Sequence, residues 1–215
     1  FIIWFKYTRK VVILKVKYSD LKNKRVFITG GGSGIGASIV EHFCEQGSEV
    51  YFVDINIKET NRLLKKIKKN RFRAPNFIEC NLLDINKLEK IIKNIISTKG
   101  PIHTLVNSAA NDDRHTTDQV DEKYWENRMA INLKHYFFAA KAVVKAMKKI
   151  KSGSIVNLSS VSWMLGEGDK VVYETAKSAV VGLTRSFAQE YGKYNIRTNS
   201  VVPGSIATER QIKHW

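Results

Sequence analysis

A tyrosine and a lysine four positions apart carry the most informative chemistry in this sequence. Tyr173 and Lys177 lie on one face of any helix that contains both, because residues four apart are neighbours on a helix. A free phenol titrates near pH ~10, and a neighbouring ammonium favours the phenolate and lowers the pKa of the phenol. The pair therefore suggests a general base, although an isolated pair at this spacing is also typical of a core aromatic residue beside a solvated lysine.

Ser160, thirteen residues before Tyr173, adds a hydroxyl to this pair. It follows the apolar run 155–158, which predicts a buried strand. A group just beyond the carboxyl end of such a strand lies where open α/β sheets bind their ligands. Ser160, Tyr173 and Lys177 together indicate a site in which a hydroxyl positions a substrate oxygen, a phenol removes its proton and an ammonium tunes the phenol.

The elements that must hold these residues alternate between strand and helix patterns. Strands are predicted at 25–29, 49–53, 76–80, 103–106, 154–158 and 196–202. Helices are predicted from the end of a glycine-rich segment to Gln46 and at 57–69, 84–97, 121–149 (as one helix or two) and 170–191, with a polar loop at 107–119. This alternation predicts an α/β protein, a three-layer doubly wound Rossmann fold with a parallel sheet of six strands.

The glycine-rich loop, 30–36, joins the first predicted strand to the first helix. Gly30 allows a tight turn, Gly34 lets the backbone approach a pyrophosphate, and Gly36 allows close packing of the helix. The loop lacks the lysine that a P-loop carries, which argues against a nucleoside triphosphatase. The sequence therefore predicts a dinucleotide site at this turn.

Asp54 ends the second predicted strand, about 20 residues beyond the loop. A carboxylate at this position binds ribose hydroxyls and repels a ribose phosphate, which favours NAD over NADP. The alternative is a turn or helix-capping role, which aspartate commonly takes.

The composition indicates one globular domain. The chain has 215 residues, 43% of them hydrophobic, which is enough for a sizeable core. Its formal net charge is +16, and since no nucleic-acid-binding motif accompanies the basic residues, we interpret them as solvated helix faces rather than as a nucleic-acid surface. Cys44 and Cys80 look like core residues of a cytoplasmic protein, and no spacing of metal ligands is present in the sequence.

Residues 1–17 form a separate N-terminal extension of unknown role. Its apolar runs are broken by basic residues and are too short to span a bilayer, and it lacks the small-residue cleavage pattern of a signal peptide. A short interfacial helix is the alternative to an extension without a part in function. We therefore predict no membrane partner.

These motifs together resemble the short-chain dehydrogenase/reductase family, from about Tyr18 to the last residue. The matching pieces are 29–36, Asn132, Ser160, the Tyr173/Lys177 pair, and Pro203-Gly204 with Thr208. The resemblance implies that Asn132, Ser160, Tyr173 and Lys177 are catalytic, with Asn132 bending a helix and holding a water that relays protons to the lysine. It also implies that NAD is bound by Gly30, Ser33, Gly34, Ile35, Gly36, Asp54, Asn81, Leu82, Asn107, Ala109, Tyr173, Lys177, Pro203, Gly204, Ile206 and Thr208, with Ile206 and Thr208 against the nicotinamide carboxamide.

Further segments narrow the resemblance to NAD-dependent aldose dehydrogenases of the D-xylose 1-dehydrogenase type. The similar segments are 111–115, 161–163, 173–177 and 208–211. Those enzymes oxidise the anomeric carbon of a cyclic sugar to a lactone, which implies sugar contacts from Asp112, Arg114, Ser160, Trp163 and Tyr173. The alternatives are aspartates that serve a turn and a tryptophan on the rim, another secondary alcohol or ketone as substrate, or a cofactor-binding partner protein without catalysis.

The sequence departs from the family pattern at three places. Ala110 replaces a glycine after the fourth strand, and Asn81 replaces the aspartate that commonly meets the adenine amine, although its amide oxygen still accepts that bond. The chain also ends at Trp215, before the family's substrate lid, last helix and seventh strand. We therefore expect residues 18–215 to be a truncated catalytic domain that is poorly soluble and weakly active alone, and a homotetramer in the full-length form.

Overall fold

Six parallel strands form one sheet at the centre of the molecule. The computed structural model describes residues 16–214, with side chains as far as residue 212. The strands are β1 Arg25–Thr29, β2 Glu49–Asp54, β3 Asn76–Glu79, β4 Thr104–Asn107, β5 Gly153–Leu158 and β6 Ile196–Val201. Their order across the sheet is β3-β2-β1-β4-β5-β6. The chain thus winds outward from β1 in one direction and then in the other, so the carboxyl ends of β1 and β4 flank the point where ligands bind in such sheets.

Helices cover both faces of this sheet. They are α1 Gly34–Glu45, α2 Ile57–Lys69, α3 Ile85–Lys99, α4 Glu122–Met129, α5 His135–Ile150, α6 Ser162–Leu165, α7 Val171–Tyr191 and α8 Glu209–His214. A π-helical turn, Ala130–Lys134, joins α4 to α5. Buried side chains of α1 and α2 pack on one face of the sheet, and those of α3, α5 and α7 pack on the other. The result is a three-layer architecture.

The sequence of β1 shows why three layers form. Side chains alternate between the two faces of a strand. Val26 and Ile28 pack in the cluster that contains α1 and α2, whereas Phe27 packs in the cluster that contains α3 and α5. All three side chains are fully buried, which is typical of a parallel strand covered on both faces.

Polar residues fix where helices begin after the strands. The Asn56 side chain accepts a hydrogen bond from the Glu59 main-chain N–H at the start of α2. The Asp84 side chain accepts one from the Lys87 main-chain N–H at the start of α3. Such caps satisfy amides that have no partner within the helix, so the ends of β2 and β3 are followed by short, well-defined turns.

The predicted fold class is confirmed, with six parallel strands close to the predicted limits. The predicted helical region 121–149 is interrupted by the π-helical turn, and the short helices α6 and α8 were not predicted. Residues 1–15, which hold most of the predicted extension and its interfacial-helix alternative, lie outside the described residues. Within residues 16–214, no helix combines the length and the apolar character that crossing a bilayer takes.

Candidate active site

Helix α7 and the end of β5 bring together the three residues of the predicted catalytic set. Tyr173 and Lys177 are one turn apart on α7, and Lys177 Nζ lies 5.6 Å from the centre of the Tyr173 ring. Ser160 follows the last residue of β5 by two positions, and its side chain lies close enough to the Tyr173 phenol to lower the pKa of that phenol. The predicted juxtaposition is therefore present, while the catalytic roles stay predictions.

Lys177 is buried, with 1% of its surface exposed. Its Nζ donates hydrogen bonds to the Tyr136 hydroxyl at 2.9 Å and to the Leu158 carbonyl at 2.8 Å. Burial lowers the pKa of Lys177 to about 7, and the negative charge of Asp112 opposes that shift. A lysine with this pKa is only partly protonated at neutral pH, so its charge depends on the groups around it.

Tyr173 has a higher pKa than the sequence led us to expect. Burial raises the pKa of Tyr173 to about 12, and the nearby Ser160 hydroxyl opposes that rise. The charge of Asp112 raises the pKa further and that of Arg210 lowers it. The pKa of this phenol therefore lies above its ordinary value chiefly because of desolvation, and the lowering of this pKa by Lys177 stays a prediction.

Ser160 is held by the first turn of α6. Its Oγ accepts hydrogen bonds from the Ser162 main-chain N–H at 3.2 Å and from the Ser162 hydroxyl at 3.0 Å. The neighbouring Ser159 hydroxyl donates to the Lys177 carbonyl at 2.7 Å, which links the end of β5 to α7. Ser160 and the Tyr173/Lys177 pair therefore lie on elements that are directly bonded to each other.

Asn132 lies in the π-helical turn and is fully buried. Its Oδ1 accepts a hydrogen bond from the Asn111 main-chain N–H at 2.8 Å, and its Nδ2 donates to the Asn111 carbonyl at 3.0 Å. A π-helical turn is a known cause of bends in helices, which supports the predicted bending role of Asn132. Its side chain anchors the loop after β4, and the water relay stays a prediction.

Thr29 and His135 lie beside this turn in the interior. Thr29 Oγ1 accepts a hydrogen bond from the Ser108 main-chain N–H at 3.1 Å and lies 3.3 Å from His135 Nε2. Burial, followed by the charge of Lys177, lowers the pKa of His135 to about 3. The ring is therefore neutral at neutral pH, and Thr29 holds the start of the loop after β4 against the end of β1.

The glycine-rich loop turns sharply between β1 and α1. Gly30 has a φ of 68°, and a Cβ at this position would lie 2.6 Å from Ala109 Cα. A Cβ at Gly36 would lie 1.9 Å from the Gly30 carbonyl oxygen, so the predicted close packing of α1 on the loop is confirmed. Gly34 has a φ of 55°, and a Cβ there would meet only Thr208 within 4 Å. Glycine is therefore required at 30 and 36 by contact and is favoured at 34 by conformation.

The amino end of α1 fits the phosphates of a dinucleotide. The first turn contains no acidic residue, and the side chain of Ser33, the residue before the helix, caps no main-chain N–H. The first N–H groups of a helix have no acceptor within it and attract anions. Ser33, Gly34, Ile35 and Gly36 thus leave this positive helix end available for a pyrophosphate.

The Asp54 carboxylate is hydrogen-bonded to the main chain of the glycine loop. Its Oδ2 accepts a hydrogen bond from the Gly32 main-chain N–H at 2.7 Å, and its Oδ1 accepts one from the Asn56 main-chain N–H at 2.8 Å. Both contacts fit the alternative interpretation of Asp54, in which its side chain stabilises a turn. Each carboxylate oxygen accepts more than one hydrogen bond, so the same side chain is also compatible with ribose hydroxyls.

Three of the other predicted cofactor residues have side chains engaged elsewhere. Asn81 Oδ1 accepts a hydrogen bond from the Leu83 main-chain N–H at 3.0 Å. Leu82 is buried in the core cluster that contains α3. Asn107 is fully buried, and its Nδ2 donates to Asn157 Oδ1 at 2.9 Å. Contacts from Leu82 and Asn107 to a cofactor would therefore come from the main chain.

The segment after β6 approaches the glycine loop at Thr208. The Pro203 carbonyl accepts a hydrogen bond from the Val161 main-chain N–H at 3.1 Å, which ties the segment to the start of α6. Thr208 approaches Gly34, whereas Gly204 and Ile206 are exposed. The predicted nicotinamide-contacting segment therefore begins at the end of β6 and ends over the amino end of α1.

The predicted substrate residue Asp112 belongs to a network of charges. Arg210 Nη2 lies 2.9 Å from Asp112 Oδ1 and 2.8 Å from Asp113 Oδ1. Arg128 Nη2 lies 3.1 Å from Asp113 Oδ2, and Gln211 Nε2 donates to Asp112 Oδ2 at 3.2 Å. The network joins the start of α8 to the loop after β4, and the charges of Asp112 and Arg210 act on Tyr173.

Two other predicted substrate residues, Arg114 and Trp163, bond to neighbouring protein groups. Arg114 is paired with Asp169, and the indole N–H of Trp163 donates to Ser159 Oγ at 3.3 Å. The structure thus places Asp112 where its charge acts on Tyr173, and it engages Arg114 and Trp163 in other interactions.

Sequence reasoning missed Tyr136, which contacts Lys177, and Arg210, which pairs with Asp112. Tyr136 lies four residues after Asn132, a spacing that could have placed it on the same helix face. Arg210 lies 97 positions beyond Asp113, and no local pattern links residues so far apart. Among residues 16–214, no group of three or more histidine, cysteine, aspartate or glutamate side chains is arranged to hold a metal ion.

The family model described as short chain dehydrogenase matches residues 24–215. The chain belongs to the short-chain dehydrogenase family. The predicted family and enzyme class are therefore confirmed.

This dehydrogenase is similar to several named sugar dehydrogenases. It is 40% identical over 199 residues to a probable galactose dehydrogenase of Rhizobium meliloti, covering 93% of this chain and 78% of that protein. It is 42% identical over 198 residues to D-xylose 1-dehydrogenase of Caulobacter vibrioides, covering 92% of this chain and 78% of that protein. Among solved structures, the ligand-free aldohexose dehydrogenase of Thermoplasma acidophilum is 30% identical with a TM-score of 0.81, covering 92% of this chain and 72% of that chain.

Proposed function

We propose that this dehydrogenase oxidises the anomeric carbon of an aldose to a lactone, with NAD as the acceptor. The observation that carries the proposal is the placement of Ser160, Tyr173 and Lys177 at the end of β5. The similarity to galactose, D-xylose and aldohexose dehydrogenases supports a sugar as the substrate.

Ser160 and Tyr173 act on the same oxygen of the sugar. The Ser160 hydroxyl donates a hydrogen bond to the anomeric oxygen and holds it in place. The Tyr173 phenolate takes the proton from that oxygen. Lys177 stabilises the phenolate by its positive charge, and Asp112 favours the charged form of Lys177. When bound, the nicotinamide supplies the acceptor for the hydride that leaves the anomeric carbon.

The position of Asp54 supports the proposal that the cofactor is NAD rather than NADP. Its carboxylate lies at the end of β2 and is bonded to the Gly32 main-chain N–H. A second phosphate on the ribose would meet this negative charge, whereas ribose hydroxyls could donate to it. The dinucleotide would otherwise be held by the amino end of α1, by the turn after β4 and by the segment 203–208.

The charge network around Asp112 supports a ligand with many hydroxyl groups. Asp112, Arg210 and Gln211 place acceptors and donors close together beside Tyr173. Hydroxyl groups of a sugar can donate to carboxylate oxygens and accept from guanidinium and amide N–H groups, which simple alcohols can do with one group only. We therefore expect aldoses to be preferred over simple secondary alcohols.

Reduction of NAD across a panel of aldoses and of secondary alcohols without a sugar ring tests this function. We expect turnover with aldoses, and a loss of about 100-fold or more in kcat when Tyr173→Phe removes the base. Tyr51→Phe is the matched control, because its hydroxyl bonds Glu49 on β2, away from the site. Turnover of simple alcohols but not of aldoses would overturn the sugar substrate, and NAD binding without any turnover would favour a non-catalytic partner protein.

A homotetramer and a cytoplasmic location are also part of the proposal, both by resemblance to the family. Exposed aromatic side chains on α4 and α5, Trp125 and Phe137, are compatible with a contact between subunits. Light scattering on the purified protein gives the mass of the assembly, and a monomer at working concentrations would contradict the tetramer.

A further inference from the structure

A buried hydroxyl lies against the lysine of the site and has no part in the chemistry described so far. Tyr136, in the first turn of α5, is fully buried. Its hydroxyl accepts a hydrogen bond from Lys177 Nζ at 2.9 Å and donates one to the Leu158 carbonyl at 3.0 Å. Lys177 Nζ donates to the same carbonyl at 2.8 Å. Ammonium, phenol and carbonyl thus form a closed triangle at the end of β5.

This triangle matters because a buried ammonium needs acceptors. Desolvation favours the neutral amine, and hydrogen bonds to the ammonium favour the charged form. Of the three donors on a lysine, two go to Tyr136 and Leu158, which leaves one for a ligand. The hydrogen bond to Tyr136 therefore favours the ammonium form of Lys177, whose positive charge stabilises the phenolate of Tyr173.

The other titratable groups around the Lys177 ammonium affect its charge, but Tyr136 is the titratable residue whose side chain accepts a hydrogen bond from it. Asp112, from the loop after β4, favours the charged form of Lys177, while Tyr173, on α7, shares the site. Burial keeps His135, on α5, neutral by lowering its pKa to about 3. Burial also raises the pKa of Tyr136 well above its usual value. Tyr136 is therefore a protonated phenol that acts by hydrogen bonding and not by exchanging a proton.

We propose that Tyr136 is a positioning residue that holds Lys177 in its charged form beside Tyr173. The kinetic consequence rests on the proposed function, whereas the contact itself does not. Asn132 lies four residues before Tyr136, so one helical segment both anchors the loop after β4 and holds the lysine.

Tyr136→Phe tests the proposal by removing the hydroxyl and keeping the ring. The ammonium loses an acceptor, so the pKa of Lys177 falls and the phenolate of Tyr173 loses stabilisation. We expect the rising limb of kcat/KM against pH to move upward by about one pH unit, with kcat reduced and the KM for the sugar little changed. Tyr51→Phe, which removes a partly buried hydroxyl bonded to Glu49 at 2.7 Å, should leave the limb in place. If kcat/KM of Tyr136→Phe rises over the same pH range as that of the unmodified protein, the proposal is overturned.

A second measurement separates this proposal from the proposed function. NMR titration of the Lys177 ζ-nitrogen, in protein made with isotope-labelled lysine, reports the pKa without any substrate. We expect a lower pKa in Tyr136→Phe, and equal values overturn the proposal even if the protein oxidises a sugar. Should the unmodified protein oxidise no sugar, the function fails while the titration still decides the role of Tyr136. If Tyr136→Phe does not fold, the contact is tested in the unmodified protein instead. We then expect nuclear Overhauser contacts between the Tyr136 ring and the Lys177 ζ-protons, and their absence overturns the proposal.

Discussion

Lys177 is a lysine whose burial opposes its positive charge. Its pKa falls to about 7 and that of Tyr173 rises to about 12, in each case chiefly through desolvation. At neutral pH the phenol is therefore protonated, and its use as a base depends on the positive charges around it. The kinetic behaviour of the site should respond to any substitution that changes the charge at position 177.

Lys177→Met should move the rising limb of the pH–rate profile to higher pH, by about one unit or more, because the phenolate of Tyr173 loses its cation. NAD should also bind more weakly if Lys177 donates to the ribose, as the resemblance to the family implies. Steady-state kinetics across a range of pH measures both effects. Lys145→Met, on the exposed side of α5, is the matched control. An unchanged limb in Lys177→Met would remove the lysine from the proposed role.

Asp54→Asn should shift cofactor preference toward NADP. The substitution removes the charge that repels a ribose phosphate and keeps an oxygen that can accept from Gly32 or Asn56. We expect the ratio of kcat/KM for NADP to that for NAD to rise about tenfold, a change that corresponds to about 1.4 kcal/mol. Asp121→Asn, at the start of α4, is the control that removes a capping carboxylate elsewhere. Equal use of both cofactors by the unmodified protein would show that Asp54 does not face the ribose.

At the scale of residues, the sequence revealed side-chain types and local spacing but not long-range partners. The Tyr173/Lys177 pair could be predicted because both residues lie on one helix. The contact of Lys177 with Tyr136 could not, because it depends on how α5 and α7 pack. The same packing buries Tyr173, and the resulting rise in the pKa of its phenol could not be predicted from local spacing.

At the scale of elements, the close packing of α1 on the glycine loop determines where the dinucleotide could bind. A side chain at position 36 would collide with the Gly30 carbonyl oxygen. Gly36→Ala should therefore lower the free energy of unfolding by about 2 kcal/mol and weaken NAD binding, because the helix must move away from the loop. Urea denaturation and cofactor titration measure the two effects.

Gly182→Ala is the matched control for that prediction. Gly182 lies inside α7, and apart from the backbone of the helix itself no atom lies within 4 Å of the position where a Cβ would be. Alanine there should raise the free energy of unfolding by about 0.5–1 kcal/mol, because it restricts the unfolded chain and favours the helix. Similar losses of stability in both variants would contradict the packing role that we assign to Gly36.

Element boundaries were predictable where local pattern alone decides them. The apolar runs of β1 and β5 define strands by themselves, and the capping residues Asn56 and Asp84 mark helix starts. The π-helical turn was not predictable from periodicity, because it is accompanied by the bonds between Asn132 and the main chain of Asn111, 21 positions away. The same applies to α8, whose Arg210 is bonded to the loop after β4.

At the scale of the whole molecule, His135 should make stability sensitive to acid. Its pKa in the folded protein is about 3, against an ordinary value of 6.5. Between these values the unfolded chain binds a proton that the folded protein does not, so the free energy of unfolding falls as the pH falls. The loss from this group is about 3 kcal/mol between pH 6.5 and pH 4. Lys177 adds little in this range, because it is mostly protonated in both states below its folded pKa of about 7.

His135→Gln should flatten this acid dependence, because glutamine does not titrate. The variant loses some stability at pH 7, since His135 Nε2 lies 3.3 Å from Thr29 Oγ1 and the ring fills part of the core. Its free energy of unfolding should nevertheless fall less steeply between pH 6.5 and pH 4 than that of the unmodified protein. His42→Gln, on the exposed side of α1, should keep the original slope. Urea denaturation at several pH values gives these slopes, and parallel curves for His135→Gln and the unmodified protein would mean that other groups, chiefly carboxylates, control the response to acid.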